Sequence, residues 1–487
     1  MSQQHNLGFR FLQLAAAEPD RPAIVAGSVR ISHGQMRQIV ILMALHMQRL
    51  GIGPTSTVAL RTDDLTVLLG SILASSLLGN AWIFDADILA EFPALRTTHR
   101  LRTDERPQAG SQLIDESWTL PPEGFTGPPR FPGYRDAADV FMISRSSGTT
   151  GTPKLVALGH RTVRDRVASY AAFFPEPGIG LAGLFPLHAP AMLARCLAAL
   201  FHKGRIVASH DPQDWLDEDV GLVFGSPSQL AQVLGDRVLP RKLRMVFSSG
   251  GKLSDAQVRH LFRSFDQVVS GYGSTEANNV LSNHKSIGPD GQVTTRTVLR
   301  GARLEIVDDA DQPVPPGTEG IVRIRNGWLA QGYMGSPEAE AKAFRGGWFY
   351  PGDLGMWTKA GEFVVTGRQN DQFNLGGVKL NAMLLDFALV EVPGIDEAIC
   401  FMVPRPGQPD RLTAFVRFSP GADQPEVLSR ARIALLRLGG TGAVPERFFP
   451  VDSIPRNANG KPDRKACLTL LETVKRRRRS GAAPSPG

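Results

Sequence analysis

The chain has 487 residues, too many for one ordinary hydrophobic core, so two or more domains are expected. Hydrophobic residues make up 42% and charged residues 21%, which excludes a wholly disordered chain. The formal net charge is +7, and part of it sits in the run Lys475 to Arg479. Such a run is expected of a solvated terminal segment, with an anionic partner as the alternative. A nucleic-acid binder would instead spread basic residues over a folded face with interleaved aromatics, so no nucleic-acid partner is expected.

In chain order, Gln35 to Leu50 has the apolar spacing of an amphipathic helix, stopped by Gly51. Thr57 to Leu60 reads as a strand. Leu65 to Phe84 carries no charge, but its Gly70, Ser71, Ser75, Ser76, Gly79 and Asn80 make it too weakly apolar for a membrane span. It reads as a buried helix followed by a strand, Ala81 to Phe84. Residues 102–138 are rich in Pro, Gly and charge and read as surface connection. Strands follow at Val140–Ser144, Arg205–Ala208, Gly221–Phe224, Met245–Ser248 and Gln267–Ser270, alternating with helical stretches. That alternation predicts an α/β domain with much parallel sheet. From Arg300 the pattern changes to short strands, Arg303–Val307, Gly320–Arg325 and Glu362–Thr366, a β-rich subdomain. A small α+β unit follows from Asp371, and the segment from Thr473 reads as disordered.

Cys196, Cys400 and Cys467 are far apart and show no metal or disulfide spacing, so buried free thiols are expected. No basic stretch followed by an apolar one opens the chain, so a cytoplasmic location is expected.

The strongest local signal is Ser146-Ser147-Gly148-Thr149-Thr150-Gly151-Thr152-Pro153-Lys154, which follows a predicted strand. Its glycines let the backbone turn and present N–H groups, and its hydroxyls add donors, so it can cradle phosphate oxygens. It is not a Walker A loop, because GxxxxGK[ST] is absent. A second cluster is Gly271-Tyr272-Gly273-Ser274-Thr275-Glu276, in which an aromatic face suits a base and a carboxylate suits a hard cation. Further blocks are Glu18-Pro19-Asp20-Arg21-Pro22-Ala23, Gly332-Tyr333 with Pro337-Glu338, Gly347 to Gly355, Gly367-Arg368, and Pro455-Arg456-Asn457-Ala458-Asn459-Gly460-Lys461.

Taken together and in this order, the blocks resemble those of the adenylate-forming superfamily, which includes acyl-CoA synthetases and peptide-synthetase adenylation domains. The resemblance covers nearly the whole chain. It implies a large N-terminal domain, residues 1–368, with parallel-rich sheets and a β-rich subdomain. A hinge at 369–370 and a small mobile α+β domain, 371–472, would follow, with 473–487 a disordered basic tail. It implies ATP, Mg²⁺ and coenzyme A as cofactor and co-substrates. Tyr272 would stack on adenine, with Gly250, Gly251, Gly273 and Ser274 beside the nucleotide. Ser146 to Gly151 and Lys154 would hold phosphate. Thr275 would touch phosphate, and Glu276 would hold the metal together with Thr149. Asp353 would accept the ribose hydroxyls, a task that suits a carboxylate, and Arg368 would also contact the nucleotide. Lys461 would reach the acid and the α-phosphate and stabilise charge as pyrophosphate leaves. Gly377 would line the thiol channel and Lys379 would lie near the phosphate. His188, Ala189 and Gly271 would line the acyl pocket, although His188 reads equally as a core histidine. The small domain would rotate between the two half-reactions.

The sequence departs from this pattern in places. Arg145 stands near the position of a usual aromatic and would pair either with a ligand anion or with a neighbouring carboxylate. Lys252 after Gly250-Gly251 reads as a solvated turn or as a ligand contact. Leu155, Asn370 and Asn374 replace commoner residues. No carboxylate stands near His188 where amino-acid-activating members keep one, so a plain, aryl or modified carboxylic acid is the expected substrate. The leading expectation is an acid–thiol ligase that forms an acyl-adenylate and passes the acyl group to coenzyme A. The alternatives are transfer to a separate carrier protein or an amine, and a nucleotide-binding homologue that no longer catalyses. Lys461 and Glu276 count against the last.

Overall fold

The computed structural model describes residues 6–84, 91–92, 95–104, 110–146, 154–375, 378–405, 408–456 and 462–479; residues 374, 375, 378, 379, 409 and 474–479 are described by backbone course alone. The chain divides into two compact units. The first comprises 1–249, 257–304 and 324–350; the second comprises 250–256, 305–323 and 351–487.

The first unit is built on two large sheets. In one, the strands Leu243–Ser249 and Phe265–Ser274 run parallel with Ser249 opposite Gly271, and Asn278–Ile287 turns back antiparallel beside them. Val220–Gly225, Gly180–Gly183, Arg205–Val207 and Pro22–Ala26 extend the parallel part. In the other, Thr57–Arg61 lies between Ala81–Phe84 and His99–Arg102, all parallel. Val140–Ser146 pairs antiparallel with Lys154–Gly159, so Ser146 faces Lys154 across the mouth of the Gly/Thr-rich loop. Gly332–Met334 closes that edge, with Tyr333 opposite Val156.

Sequence and structure agree closely on the elements of this unit. The helix predicted from Gln35 spans His33–Arg49, because Ser32 and Gln35 form a capping box one turn earlier. The uncharged stretch splits at Gly79 into the helix Leu65–Leu78 and the strand Ala81–Phe84. Asp64 caps the helix start, and nearly every helix residue is buried, as expected of a helix apolar on all sides. Gly79 is a left-handed C-cap, φ +77°, and a Cβ there would lie 2.2 Å from the Gly133 carbonyl oxygen. Among the described residues no helix is long and apolar enough to cross a membrane. Residues 102–104 and 110–138 are more ordered than their composition suggests. They include the strand Ser111–Leu113 and bury Trp118, Phe131 and Tyr134, so aromatic anchors pin an otherwise polar connection.

The second unit holds the hairpin formed by Asp353–Trp357 and Phe363–Arg368, the hairpin Gln372–Leu375 with Val378–Asn381, and a three-stranded sheet. In that sheet Ile395–Arg405 pairs antiparallel with Gln408–Phe418, and Arg447–Pro450 joins in parallel. The helices Ala382–Val390 and Gln424–Gly439 pack on one face around Leu385, Leu389, Val427, Ala431 and Leu435. Phe401, Phe415, Phe449, Cys467 and Leu471 form the core of the other face. The last helix, Arg464–Arg479, takes in residues 473–479, where the sequence alone suggests an unordered tail. Favourable helix formers from Arg464 onward carry the turn pattern through the basic run. Cys196, Cys400 and Cys467 are free and buried, as expected.

Candidate active site

The site residues of the first unit gather at the C-terminal end of Phe265–Ser274, the edge where parallel strands of α/β sheets ordinarily present ligand-binding groups. Gly273 is required there: a Cβ would lie 2.0 Å from the Asn278 carbonyl oxygen, in a bulge between Tyr272 and Gly273. Tyr272 is half-buried on this strand, and Ser274 Oγ accepts from the Ala277 amide at 3.2 Å. Gly271 is equally constrained, since a Cβ would stand 2.4 Å from Phe247 Cζ.

Glu276 is buried and fixed from two sides. The Tyr333 hydroxyl donates to its Oε1 at 2.8 Å. The guanidinium of Arg166, wholly buried, holds the backbone: Nη1 donates to the Thr275 carbonyl at 2.8 Å and Nη2 to the Glu276 carbonyl at 2.7 Å. Its Nε and Nη2 both donate to the Trp328 carbonyl, at 3.1 and 3.0 Å. Burial draws the Arg166 pKa down to about 10, with Tyr170 and Glu276 acting the other way. One rigid cation thus joins Thr275 and Glu276 to the segment that leads into Tyr333. Tyr333 in turn carries the Lys154 ammonium over its ring, 4.8 Å from the centroid.

Ser146 Oγ is buried with no hydrogen-bond partner among the described residues, directly before the predicted phosphate loop. An orphaned hydroxyl at that point fits a loop that binds anions. Ser147, Gly148, Thr149, Thr150 and Gly151 lie outside the described residues, as do Gly377 and Lys461. Arg145 pairs with Glu91 at 2.9 Å, the carboxylate partner that was one of its two expected fates.

His188 stacks on Phe84, rings 4.2 Å apart and 8° from parallel, and Ala189 caps the helix Pro190–Phe201 that follows. No group of three or more His, Cys, Asp or Glu side chains fit to hold a metal occurs among the described residues. A lone buried carboxylate, Glu276, whose Oε1 is already engaged by Tyr333, suits Mg²⁺, which ordinarily takes one or two carboxylates and completes its shell with phosphate and water.

In the second unit Asp353 and Arg368 face each other across the hairpin, and Nε lies 2.6 Å from Oδ1. Arg368 Nη1 also donates to the Pro351 carbonyl at 3.3 Å. Asn381 supports this pair from behind. Its Nδ2 donates to the Arg368 carbonyl at 2.8 Å, and its Oδ1 accepts from the Met383 amide to cap the helix. Gly367 leaves no room for a side chain, because a Cβ would overlap the Asn381 amide. Gly250, left-handed at φ +87°, Gly251 and Lys252 belong to this unit. The exposed Lys252 lies over the Phe387 ring at 5.3 Å. The strand pairing sets Asn374 opposite Lys379.

Residues 85–334, just over half of the chain, match the family described as AMP-binding enzyme. The chain belongs to the AMP-binding enzyme family. It is 28% identical over 359 residues to the oxalate–CoA ligase of Saccharomyces cerevisiae, covering 70% of this chain and 65% of that protein. It is 26% identical over 486 residues to the phosphinothricin tripeptide synthetase PhsC of Streptomyces viridochromogenes, of which it spans 44%. It is 26% identical over 541 residues to the 2-hydroxy-7-methoxy-5-methyl-1-naphthoate–CoA ligase of Streptomyces carzinostaticus, covering 95% of this chain and 92% of that one. The fold is that of adenylate-forming enzymes. The amide bond synthetase McbA from Marinactinospora thermotolerans superposes with a TM-score of 0.77 at 22% identity over 96% of this chain and 99% of that one. The O-succinylbenzoate coenzyme A synthetase from Bacillus subtilis, in complex with ATP and magnesium ion, gives 0.81 at 18% identity over 94% and 98%.

Sequence reasoning singled out Tyr272, Thr275, Glu276 and Asp353 but missed Arg166, which is one of several arginines on the helix His160–Ser169 and stands out by no spacing. It also missed Arg195, for which a signal existed: a single charge inside the otherwise apolar PAMLARCLAALF.

Proposed function

We propose that this adenylate-forming family member is an acid–thiol ligase that activates a carboxylic acid with Mg·ATP and passes the acyl group to coenzyme A. The observation that carries the reading is the doubly fixed Glu276, held by Tyr333 and Arg166 at the end of the parallel strands beside Lys154. In this reading the substrate carboxylate attacks the α-phosphate in line and pyrophosphate departs. Tyr272 offers its face to adenine, and Thr275, Ser146 to Gly151 and Lys154 donate to phosphate. Asp353 accepts the ribose hydroxyls, with Arg368 paired to it across the hairpin. Glu276, with Thr149, would hold Mg²⁺, which when bound supplies charge neutralisation of the phosphates. Lys461 stabilises the charge of the departing pyrophosphate. The acyl pocket involves His188, Ala189 and Gly271. The thiol approaches near Gly377 and Lys379, after movement of residues 371–472 about 369–370.

A panel of carboxylic acids, assayed for pyrophosphate release with and without coenzyme A, tests the reading. One or more acids should support release, and coenzyme A should accelerate turnover and appear in a thioester. Lys461→Ala should lower adenylation by about 10²–10³-fold; unchanged pyrophosphate exchange in that variant would sink the role given to Lys461. A second reading keeps adenylation and gives the acyl group to an amine or a separate carrier protein. It is favoured by the spread of relatives, named for CoA ligation, peptide synthesis and amide bond formation. Amide product without thioester would select it.

A further inference from the structure

The helix Pro190–Phe201, which begins directly after His188 and Ala189, buries an arginine. Arg195 is 2% exposed. Its guanidinium lies 3.7 Å from the Phe224 ring centroid, 4.6 Å from that of Tyr170 and 4.8 Å from that of Phe247. Nη1 donates to the Ala191 carbonyl one helical turn back at 2.9 Å and reaches the Tyr170 hydroxyl at 3.5 Å. Nε is buried with no hydrogen-bond partner among the described residues. A second cation, Arg300, lies 4.6 Å from the Phe173 ring centroid, donates to Ser282 Oγ at 3.1 Å, and repels Arg195. Among the described residues neither arginine pairs with a carboxylate.

A buried cation with no counter-charge is costly to desolvate. Aromatic faces recover only part of that cost. Burial lowers the pKa of both guanidinium groups, which records the same cost, yet an arginine stays charged. A core built only for packing would place an apolar residue at this helix position. The location ties the charge to the acyl pocket. Phe247, one wall of the cage, is the ring that forbids a side chain at Gly271. Tyr170, another wall, donates its hydroxyl to Oδ1 of Asn278, two residues beyond Glu276, at 2.8 Å.

We propose that Arg195, backed by Arg300, recognises a second anionic group on the acid, so that the substrate is a dicarboxylate activated at the carboxyl remote from Arg195. The bound carboxylate supplies the counter-charge that Arg195 lacks among the described residues. A monocarboxylic acid of the same length leaves the cation unpaired, which is the larger penalty. The inference rests on the adenylation proposed above and adds the chemical class of the acid.

The test uses the full chain, ATP, Mg²⁺ and hydroxylamine as trap, and reads pyrophosphate release with matched pairs. Succinate, glutarate and adipate are set against butyrate, valerate and hexanoate, and terephthalate against 4-methylbenzoate. The dicarboxylate of the best pair should exceed its partner in kcat/KM by about a hundred-fold, as expected for one buried charge pair. Arg195→Met should erase that preference chiefly through KM, and Arg195→Lys should keep part of it. Release that is equal or better with the monocarboxylates of the unaltered protein overturns the proposal while leaving adenylation standing. That measurement needs no folded variant. Equal loss of both acids in Arg195→Met, with the lysine variant no better, also overturns it and marks Arg195 as a packing residue. Absence of release with every acid, in this panel and the broader one, overturns the adenylation reading along with it.

Discussion

The Tyr333 hydroxyl donates to Glu276 Oε1 at 2.8 Å, linking two buried groups 57 residues apart in the chain. This bond fixes the carboxylate's rotamer through one of its two oxygens. Tyr333→Phe keeps the ring under Lys154 and removes only the donor. A hydrogen bond to a charged group contributes about 1.5–3 kcal/mol. Adenylation by Tyr333→Phe is therefore expected to fall by roughly ten- to a hundred-fold, with a higher Mg²⁺ requirement. Titration of pyrophosphate release against Mg²⁺ checks both; an unchanged magnesium dependence would separate Tyr333 from the metal.

Arg166 is a buried crosslink within the first unit. Its guanidinium serves three carbonyls from two chain segments, and no other residue type can span them. Arg166→Met removes the side-chain donor from the Thr275 and Trp328 carbonyls, while the Glu276 carbonyl keeps the Ala330 amide, and a loss of about 1–3 kcal/mol for each acceptor left unmet is expected. Arg166→Lys should recover little, because a point charge cannot reach all three. Denaturant midpoints of the two variants test the point, and a lysine variant as stable as the parent would contradict it.

Acid sensitivity has an identified source in His160. Burial lowers its pKa from 6.5 to about 4, against opposing contributions from the Gly79 carbonyl and Asp139. The ring packs between Tyr134 and Phe141, at 4.6 and 4.5 Å. Because the folded value is the lower one, the unfolded chain takes up the proton more readily between the two values. The contribution to stability is fully present above pH 6.5, fades as pH falls toward about 4, and amounts to about 3 kcal/mol. Thermal midpoints measured across that window should slope less steeply for His160→Gln than for the parent. An identical slope would place the acid sensitivity elsewhere.

Gly367→Ala is expected to be far more damaging than an exposed glycine substitution. The added methyl group would overlap the Asn381 amide, which both caps a helix and holds the Arg368 carbonyl. Loss of the cap alone costs about 1 kcal/mol. Displacement of Arg368 should in addition weaken nucleotide binding through Asp353. Isothermal titration with ATP and a thermal melt measure the two effects; a variant with parental ATP affinity would show that Asn381 does not govern the pair.

Strands and helices of the first unit were legible because period and punctuation agreed. Gly79 ends a helix and Gly51 follows one, and both take the left-handed backbone, φ +77° and +81°, that glycine adopts without strain. The residues proposed to face the nucleotide stand out in the sequence because they sit in dense local clusters, Gly271 to Glu276 above all. What escaped were partners brought in from elsewhere in the chain. Arg166 is 110 residues from the Glu276 carbonyl that it holds, and nothing in its neighbourhood announces the contact. The basic run also misled: charge composition argued for disorder, whereas the helix that begins at Arg464 continues through Arg479. The buried aromatics Trp118, Phe131 and Tyr134 were hidden inside a stretch whose average composition is that of a loop.

The three buried thiols make the two units separately observable. Cys196 belongs to the first, and Cys400 and Cys467 to the second. Burial pushes the Cys196 and Cys467 thiols up to about 12 and raises Cys400 as well, so neutral-pH alkylation requires local opening. Pulse labelling followed by peptide mass spectrometry would therefore time the opening of each unit on its own clock, with no engineered probe.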